Sequence, residues 1–186
     1  VTELYDELAT INSEFPDLTE IVTYGQSHCQ AAGGCRTPGG DNLAGDPLLA
    51  LRITNEAVPG SSVINGNNIT RGSKPVFFLM ANIHSREIST PEIAMRFTAH
   101  LIDGYNVDAD ATWLVDQHEI WVVPTANPDG HRLVGLGLKA KYGSSPFYQR
   151  KNANNDADQD DIADCPVWPP TSYEQYGTDL NRNHSF

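Results

Sequence analysis

The chain has 186 residues, 39% of them hydrophobic, which suits one globular domain with a sizeable core. Its 24 acidic and 12 basic residues give a formal net charge of −12, which disfavours binding to the phosphate backbone of nucleic acid. No apolar run approaches the roughly 20 residues of a membrane span, and the first residues lack the basic start and apolar stretch of a signal peptide. If the protein is exported, we expect its signal to have been removed.

The first third of the chain predicts one helix followed by strands. Residues 2–15 carry apolar side chains at the three- and four-residue spacing of an amphipathic helix, and Pro16 closes it. LTEIVTYG (18–25) and PLLALRIT (47–54) predict strands, separated by a loop rich in Gly, Cys and Pro. INGNN (64–68) has the Asn and Gly chemistry of a turn.

The middle of the chain predicts the centre of a sheet. The apolar run at 76–83, interrupted only by Asn82, predicts a strand buried on both faces, and residues 91–105 predict a helix packed on it. HEIWVVPTANPDG (118–130) predicts another central strand running into a turn. This order indicates an α/β fold with a mixed central sheet and helices on both faces. After about residue 133 no period of 2 or 3.6 remains, and we expect long extended loops.

The three cysteines leave two interpretations open. Cys29 and Cys35 flank the short loop CQAAGGC, and they either close a small disulfide or form half of a metal site. The metal alternative is weaker, because His28 is the only imidazole nearby and no further thiol is close in sequence. Cys165 is left over, either free or paired with something outside this chain.

The run FFLMANIHSREIST (77–90) ends a predicted strand with an imidazole and a carboxylate. In an open α/β sheet, ligands bind just beyond the carboxyl ends of strands, where His84 and Glu87 lie. Nitrogen and oxygen ligands with open coordination positions are typical of a catalytic zinc site. The HxxE pattern alone has low specificity. His100 and Asp103 form a similar pair inside the predicted helix, where we expect a solvated face.

Further motifs accompany this pair. NPDGH (127–131) follows the next strand, RKN (150–152) lies in the loop region, and GTDLNRN (177–183) comes near the end. Together with HSRE, the opening YDELATINSEFPDLTEIVTYGQS and LLALRIT, these motifs resemble the zinc metallocarboxypeptidases of the carboxypeptidase A type, the M14 family. The resemblance covers nearly all 186 residues, and the motifs occur in the order that the family has.

The resemblance implies roles at the proposed metal centre. His84 and Glu87 correspond to zinc ligands, and Asp179 corresponds to the acceptor of a hydrogen bond from the other ring nitrogen of His84, which would fix its tautomer. Arg150 corresponds to the residue that polarises the scissile carbonyl and stabilises the oxyanion. These assignments predict hydrolysis assisted by Zn²⁺.

The resemblance also implies contacts with the substrate. Asn181 and Arg182 would bind the substrate's C-terminal carboxylate, and Arg86 would line a neighbouring subsite. Family members continue to a third zinc ligand, a pocket tyrosine and a general-base glutamate, whereas this chain ends at Phe186. His184 is a poor substitute for that ligand, because the family usually has an aromatic residue there. We expect a single catalytic domain over 1–186, incomplete at its C-terminus, with the remainder absent or present as a separate segment.

An acidic stretch predicts a second metal site. NNDADQDDIADC (154–165) places Asp156, Asp158 and Asp160 at alternating positions, with Asp164 four residues later. Such spacing suits a hard cation such as Ca²⁺, although the Gly and Glu of an EF-hand are missing. The stretch resembles the DxDxDxxxD loops of thrombospondin type 3 repeats. The alternative is a solvated acidic loop; we expect an inserted calcium loop over 150–176.

We therefore predict a secreted or periplasmic zinc carboxypeptidase that acts on peptide or protein C-termini. One alternative is an aspartoacylase-like amidohydrolase of small acyl amino acids, since those enzymes also combine HxxE with an Asn-Arg pair. The other is a non-catalytic relative that binds peptide ends without cutting them. The N-terminal helix and strand and the complete NPDG turn favour the peptidase, and a downstream His and Glu would distinguish an enzyme from a binding module.

Overall fold

The computed structural model describes residues 1–66, 68–156 and 164–182. In chain order its elements are α1 (Thr2–Glu14), β1 (Thr19–Gln26), α2 (His28–Ala31), β2 (Cys35–Arg36), β3 (Asn42–Leu43), β4 (Pro47–Ile53), β5 (Val63–Asn65), β6 (Asn68–Thr70), β7 (Val76–Met80), α3 (Ser89–Gly104), α4 (Ala109–Gln117), β8 (Glu119–Val123), α5 (Pro128–Leu136) and a 3₁₀ helix (Ala140–Tyr142).

The central sheet has four strands in the order β1-β4-β8-β7. β1 pairs with β4, and β4 with β8, in antiparallel fashion, whereas β7 and β8 are parallel. A parallel pair needs a long crossover, which α3 and α4 supply. The predicted mixed α/β sheet is confirmed. Within the described ranges, no helix is both long and apolar enough to cross a membrane.

One apolar cluster holds the helices on the sheet. It joins Leu8 of α1, Leu51 of β4, Leu101 of α3 and Ile120 of β8, all almost fully buried. Burying one such side chain stabilises the fold by about 1.5–3 kcal/mol. The helices predicted at 2–15 and 91–105 are confirmed, as are the strands predicted at 18–25 and 47–54.

The strand that precedes the predicted metal ligands differs from expectation. β7 ends at Met80 and lies at the edge of the sheet, with Phe77 49% and Phe78 58% exposed. The prediction of a strand buried on both faces is therefore wrong for the described structure. β8 is the only strand that pairs with β7 among the described residues. The other edge of β7 therefore has no strand partner among them. A continuous apolar run predicts a strand that can be buried, but it does not determine whether other elements pack against that strand.

NPDG begins a helix, although the sequence predicted a turn there. The Asn127 side chain accepts a hydrogen bond from the backbone N–H of Gly130, and Pro128 stands in the first turn, where its missing N–H costs nothing. The region beyond residue 133 continues this helix to Leu136 before the loops begin. α4 was also missed, although Asp108 caps it in the same way by accepting from Ala111.

A second cluster packs the loops that follow α5. Aromatic rings of Tyr142, Phe147, Trp168 and Tyr176 meet edge to face at centroid distances of 5.0–6.0 Å. The disulfide between Cys29 and Cys35 is formed beside them, which confirms that interpretation over the metal pair. Cys165 is a free thiol in this chain. The long loops are thus held by their own aromatic core.

Candidate metal centre

The chain bends sharply after β7 and brings the predicted zinc ligands together. His84 is 7% exposed, while the Glu87 side chain is 45% exposed. The Nδ1 atom of His84 lies 3.0 Å from the Oε1 atom of Glu87. Two ligand atoms that each bind one zinc ion at about 2 Å lie a little over 3 Å apart, so this pair suits a shared Zn²⁺. The exposed carboxylate leaves one side of such an ion accessible.

Asp179 lies on the opposite edge of the imidazole. Its Oδ1 atom is 3.4 Å from the His84 Nε2 atom, and this buried nitrogen makes no hydrogen bond to any described residue. Arg150 donates from its Nε to the Oδ2 atom of Asp179 at 2.7 Å. Partial burial acts to raise the pKa of Asp179, but the hydrogen bonds from Arg150 and the Asn181 backbone outweigh it and hold that pKa below its usual value. Asp179 is therefore a carboxylate at neutral pH.

Ser85 ties the turn of the candidate ligands to the segment of Arg150. Its backbone N–H donates to the carbonyl of Arg150 at 3.1 Å, and its hydroxyl donates to the carbonyl of Gln149 at 2.8 Å. Gln149 is fully buried and donates from its side-chain amide to the carbonyl of Tyr176 at 2.6 Å. Sequence reasoning missed Ser85 and Gln149, because a hydroxyl and an amide that bind only backbone carry no chemical signature.

A close approach of two backbones places Asp179. Asn152 donates from its backbone to the carbonyl of Thr178, and its side-chain oxygen accepts from the Thr178 N–H at 2.9 Å. Gly177 has φ 93°, and a Cβ there would lie 1.9 Å from the Asn152 carbonyl oxygen. Only glycine combines this backbone angle with this contact. Any side chain at residue 177 would therefore displace the segment that carries Asp179.

The residues predicted to bind substrate lie at the surface. The Asn181 backbone N–H donates to the Oδ1 atom of Asp179 at 2.9 Å. This bond connects Asn181 to the carboxylate that lies beside His84. Arg182 is exposed, and its Nη1 donates to the carbonyl of Asn181 at 2.8 Å. The guanidinium of Arg86 lies 4.3 Å from the centre of the Tyr148 ring. The structure thus brings His84, Glu87, Arg150 and Asp179 together, with these three residues around them.

The described residues supply two candidate ligands for an ion at this position, His84 and Glu87. Across 1–66, 68–156 and 164–182, no set of three His, Cys, Asp or Glu side chains is arranged to hold a metal ion. His184, weighed as a third ligand, lies outside the described residues. His100 and Asp103 are both exposed on α3, as expected for a solvated helix face.

Only the two ends of the acidic stretch, 154–156 and 164–165, are described. Asp158 and Asp160 lie outside the described residues, while Asp156 and Asp164 stand on either side of that gap. Asn155 closes the base: its side chain donates to the Cys165 carbonyl at 2.8 Å and accepts from the Gly177 N–H at 3.0 Å. The acidic stretch is therefore attached directly to the segment that leads to Asp179.

Comparison with known proteins shows similarity to carboxypeptidases. The model of the family described as zinc carboxypeptidase, Peptidase M14, matches residues 37–186. Metallocarboxypeptidase A of Trichophyton tonsurans is 32% identical over 116 residues, which cover 62% of this chain and 22% of that protein. A zinc carboxypeptidase of Saccharothrix mutabilis subsp. capreolus is 34% identical over 67 residues, which cover 36% of this chain and 15% of that protein.

Solved structures share the fold. The crystal structure of thrombin activatable fibrinolysis inhibitor matches with a TM-score of 0.61 at 19% identity, over 98% of this chain and 33% of that one. The bovine inhibitor in complex with tick carboxypeptidase inhibitor matches with a TM-score of 0.57 at 19% identity, over 98% of this chain and 41% of that one. The chain thus spans about a fifth of the Trichophyton relative and about a third to two fifths of these solved chains.

Proposed function

Because the chain belongs to the zinc carboxypeptidase family, we propose that the protein is a zinc-dependent metallocarboxypeptidase that hydrolyses the C-terminal peptide bond of peptides or proteins. The observation that carries this proposal is the 3.0 Å approach of His84 Nδ1 and Glu87 Oε1 directly after β7. This pair lies where ligands bind in open α/β sheets, and one of its members is solvent-accessible.

Each residue of the site has a role that its contacts support. A bound Zn²⁺ supplies a Lewis acid that polarises the scissile carbonyl and activates water. Asp179, 3.4 Å from His84 Nε2, would orient the ring by a closer approach to that nitrogen. It also accepts from Arg150 Nε, so the two Nη groups of Arg150 are not used in that hydrogen bond. Those groups can donate to the oxygen on which charge develops, and one such donor contributes about 2.7–4 kcal/mol to transition-state stabilisation.

The substrate would be anchored by its free C-terminal carboxylate. Asn181 and Arg182 supply an amide and a guanidinium fork, which bind carboxylates in a planar, two-bond geometry. Only the Nη1 group of Arg182 donates to the Asn181 carbonyl, so this bond does not occupy the donors on its Nε and Nη2 groups. Arg86, whose guanidinium lies over the Tyr148 ring, would line a neighbouring subsite.

We place the third zinc ligand and the general base in a remainder of the catalytic domain, on the same chain or as a separate segment. The two-ligand set among the described residues supports this proposal. So does β7, whose half-exposed Phe77 and Phe78 form an apolar edge that a further strand would cover.

Release of C-terminal amino acids tests the function directly. The protein in its natural full length is incubated with a mixed peptide set, and free amino acids are measured by mass spectrometry. We expect release from peptides with a free C-terminus, loss of release with a zinc chelator, and none from the same peptides carrying a C-terminal amide. No release from any peptide would overturn the proposal. Hydrolysis of small acyl amino acids alone would favour an aspartoacylase-like enzyme, and peptide binding without cleavage would favour a binding relative.

The acidic stretch at 154–165 is proposed as a calcium site, and the protein as secreted or periplasmic. The Cys29–Cys35 disulfide supports that location, because disulfides persist in oxidising compartments.

Calcium removal tests the proposed calcium site. With calcium at about 100 times its Kd, binding stabilises the fold by about 2.7 kcal/mol, so we expect EGTA to lower the melting temperature by several degrees. Because EGTA also binds Zn²⁺, the chelator is removed by dialysis and zinc is returned before the melt is recorded. An Asp158→Asn, Asp160→Asn double variant should lose the EGTA response; an unchanged parent melt would contradict the site.

A further inference from the structure

Asn82 lies between β7 and the turn of the candidate ligands, in an unusual backbone conformation. It is 2% exposed and has φ 55°, in the left-handed region that asparagine adopts more readily than most residues. Its backbone N–H donates to the hydroxyl of Thr90 at 3.0 Å. The residue thus sets the direction in which the chain leaves the sheet.

The side-chain amide of Asn82 points into the ligand turn. Its Nδ2 group approaches the carbonyl oxygens of His84 at 3.3 Å, Ser85 at 3.3 Å and Glu87 at 3.5 Å. Carbonyl oxygens only accept hydrogen bonds, so the three together fix the amide with its NH₂ towards the turn. Both candidate zinc ligands are therefore bound through their own backbones to one side chain.

The other end of the same amide contacts the chain that follows β8. Its Oδ1 atom accepts from the Thr125 hydroxyl at 3.1 Å and lies 2.9 Å from the Nδ1 atom of His131. Burial lowers the pKa of His131 to about 4, so the ring is neutral at neutral pH and must donate from Nδ1 to this oxygen. Asn82 is thereby held from behind by two donors of the adjacent segment.

This arrangement makes Asn82 the connection between the rigid sheet and the ligand pair. The Glu87 side chain is 45% exposed, so its position depends in large part on the backbone of the turn. We propose, on the basis of the proposed zinc function, that Asn82 is a positioning residue whose amide holds the backbones of His84 and Glu87 at the spacing that zinc binding requires. Residues that orient metal ligands typically change metal affinity 10–100-fold when they are replaced.

The test compares variants that remove different ends of this connection in the natural full-length protein. Asn82→Asp keeps the shape and the acceptor but loses the donors to the three carbonyls. Asn82→Gly keeps the backbone conformation accessible and removes the whole side chain. Asn106→Gly is the matched control, since Asn106 shares the left-handed backbone conformation (φ 63°) but lies exposed between α3 and α4.

Zinc affinity of the folded apoproteins is measured by competition with a chromophoric chelator, and the visible spectrum of the cobalt(II) forms reports ligand geometry. We expect about 10–100-fold weaker zinc binding and an altered cobalt spectrum in both Asn82 variants. Asn106→Gly should stay within about threefold of the parent, since it leaves every contact of Asn82 with the ligand turn in place. Circular dichroism confirms that each protein is folded at the temperature of measurement.

The outcomes separate this inference from the proposed function. A parent that binds zinc, with folded Asn82 variants that bind it equally well, would overturn the inference alone. Asn82 variants that lose the fold while Asn106→Gly keeps it would assign Asn82 to stability and overturn the inference as well. A parent that binds no zinc would overturn the proposed function, and the inference with it.

Discussion

Replacing Glu87 with glutamine is expected to lower the zinc affinity of the natural full-length protein by about 100-fold or more and to abolish the proposed release of C-terminal amino acids. The change keeps the size of the side chain but removes the charge 3.0 Å from His84 Nδ1 that would neutralise the ion. Structural zinc sites with four ligands bind with about 10–16 kcal/mol, so one ligand accounts for roughly 3 kcal/mol. Chelator competition and the peptide-release assay measure the two effects.

Glu92→Gln is the matched control for this variant. Glu92 lies five residues further along, in the first turn of α3, where its exposed side chain pairs with Arg96. An exposed i,i+4 pair contributes about 0.3–0.5 kcal/mol to stability, so this variant should keep the parent's zinc affinity and activity. If Glu87→Gln instead bound zinc as tightly as Glu92→Gln, Glu87 would not be a ligand.

Replacing Arg150 with glutamine is expected to lower kcat by about 100–1000-fold, which would correspond to the loss of one donor to the developing oxyanion. Zinc affinity should change far less than in Glu87→Gln, because Arg150 contacts Asp179 and no candidate ligand directly. Steady-state kinetics on a good peptide substrate, together with zinc content by elemental analysis, separates an effect on chemistry from loss of the metal.

The neighbouring residue supplies the control for charge. Lys151→Gln removes one positive charge from the adjacent position and leaves the backbone carbonyl that accepts from Ser85 and Gln149. Its kcat should stay within about twofold of the parent, since general electrostatic effects of exposed charges are small. Equal losses in the two variants would show that net charge, and not the position of the Arg150 guanidinium, matters.

The sequence predicted the structure correctly where that structure depends on residues only a few positions apart. The helices at 2–15 and 91–105 were predicted from a three- and four-residue apolar period, and the disulfide candidate from two cysteines six residues apart. α4 and α5 carried local signals as well, in the capping side chains of Asp108 and Asn127, that went unrecognised. These two helices were not predicted because the capping side chains, and the proline in the first turn of α5, were not recognised as signs of a helix start.

The environment of β7 could not be predicted in this way. Its five residues are continuously apolar, and that pattern was interpreted as burial on both faces. Exposure depends on which strands lie beside it, and β8 is its only strand partner in the described part of the chain. The apolar pattern thus predicts a strand that can be buried, while the order of strands in the sheet decides whether neighbouring elements bury it.

By itself, the sequence determined the fold class and the HxxE spacing of His84 and Glu87, because both depend on periods and separations of a few residues. Only the tertiary structure decided that Arg150 and Asp179, 29 residues apart, form an ion pair beside His84. Likewise, it brought Ser85 to the backbone of Lys151 across 66 positions and Asn82 to His131 across 49. Contacts over such separations depend on how strands and loops pack, which residue types at neighbouring positions do not specify.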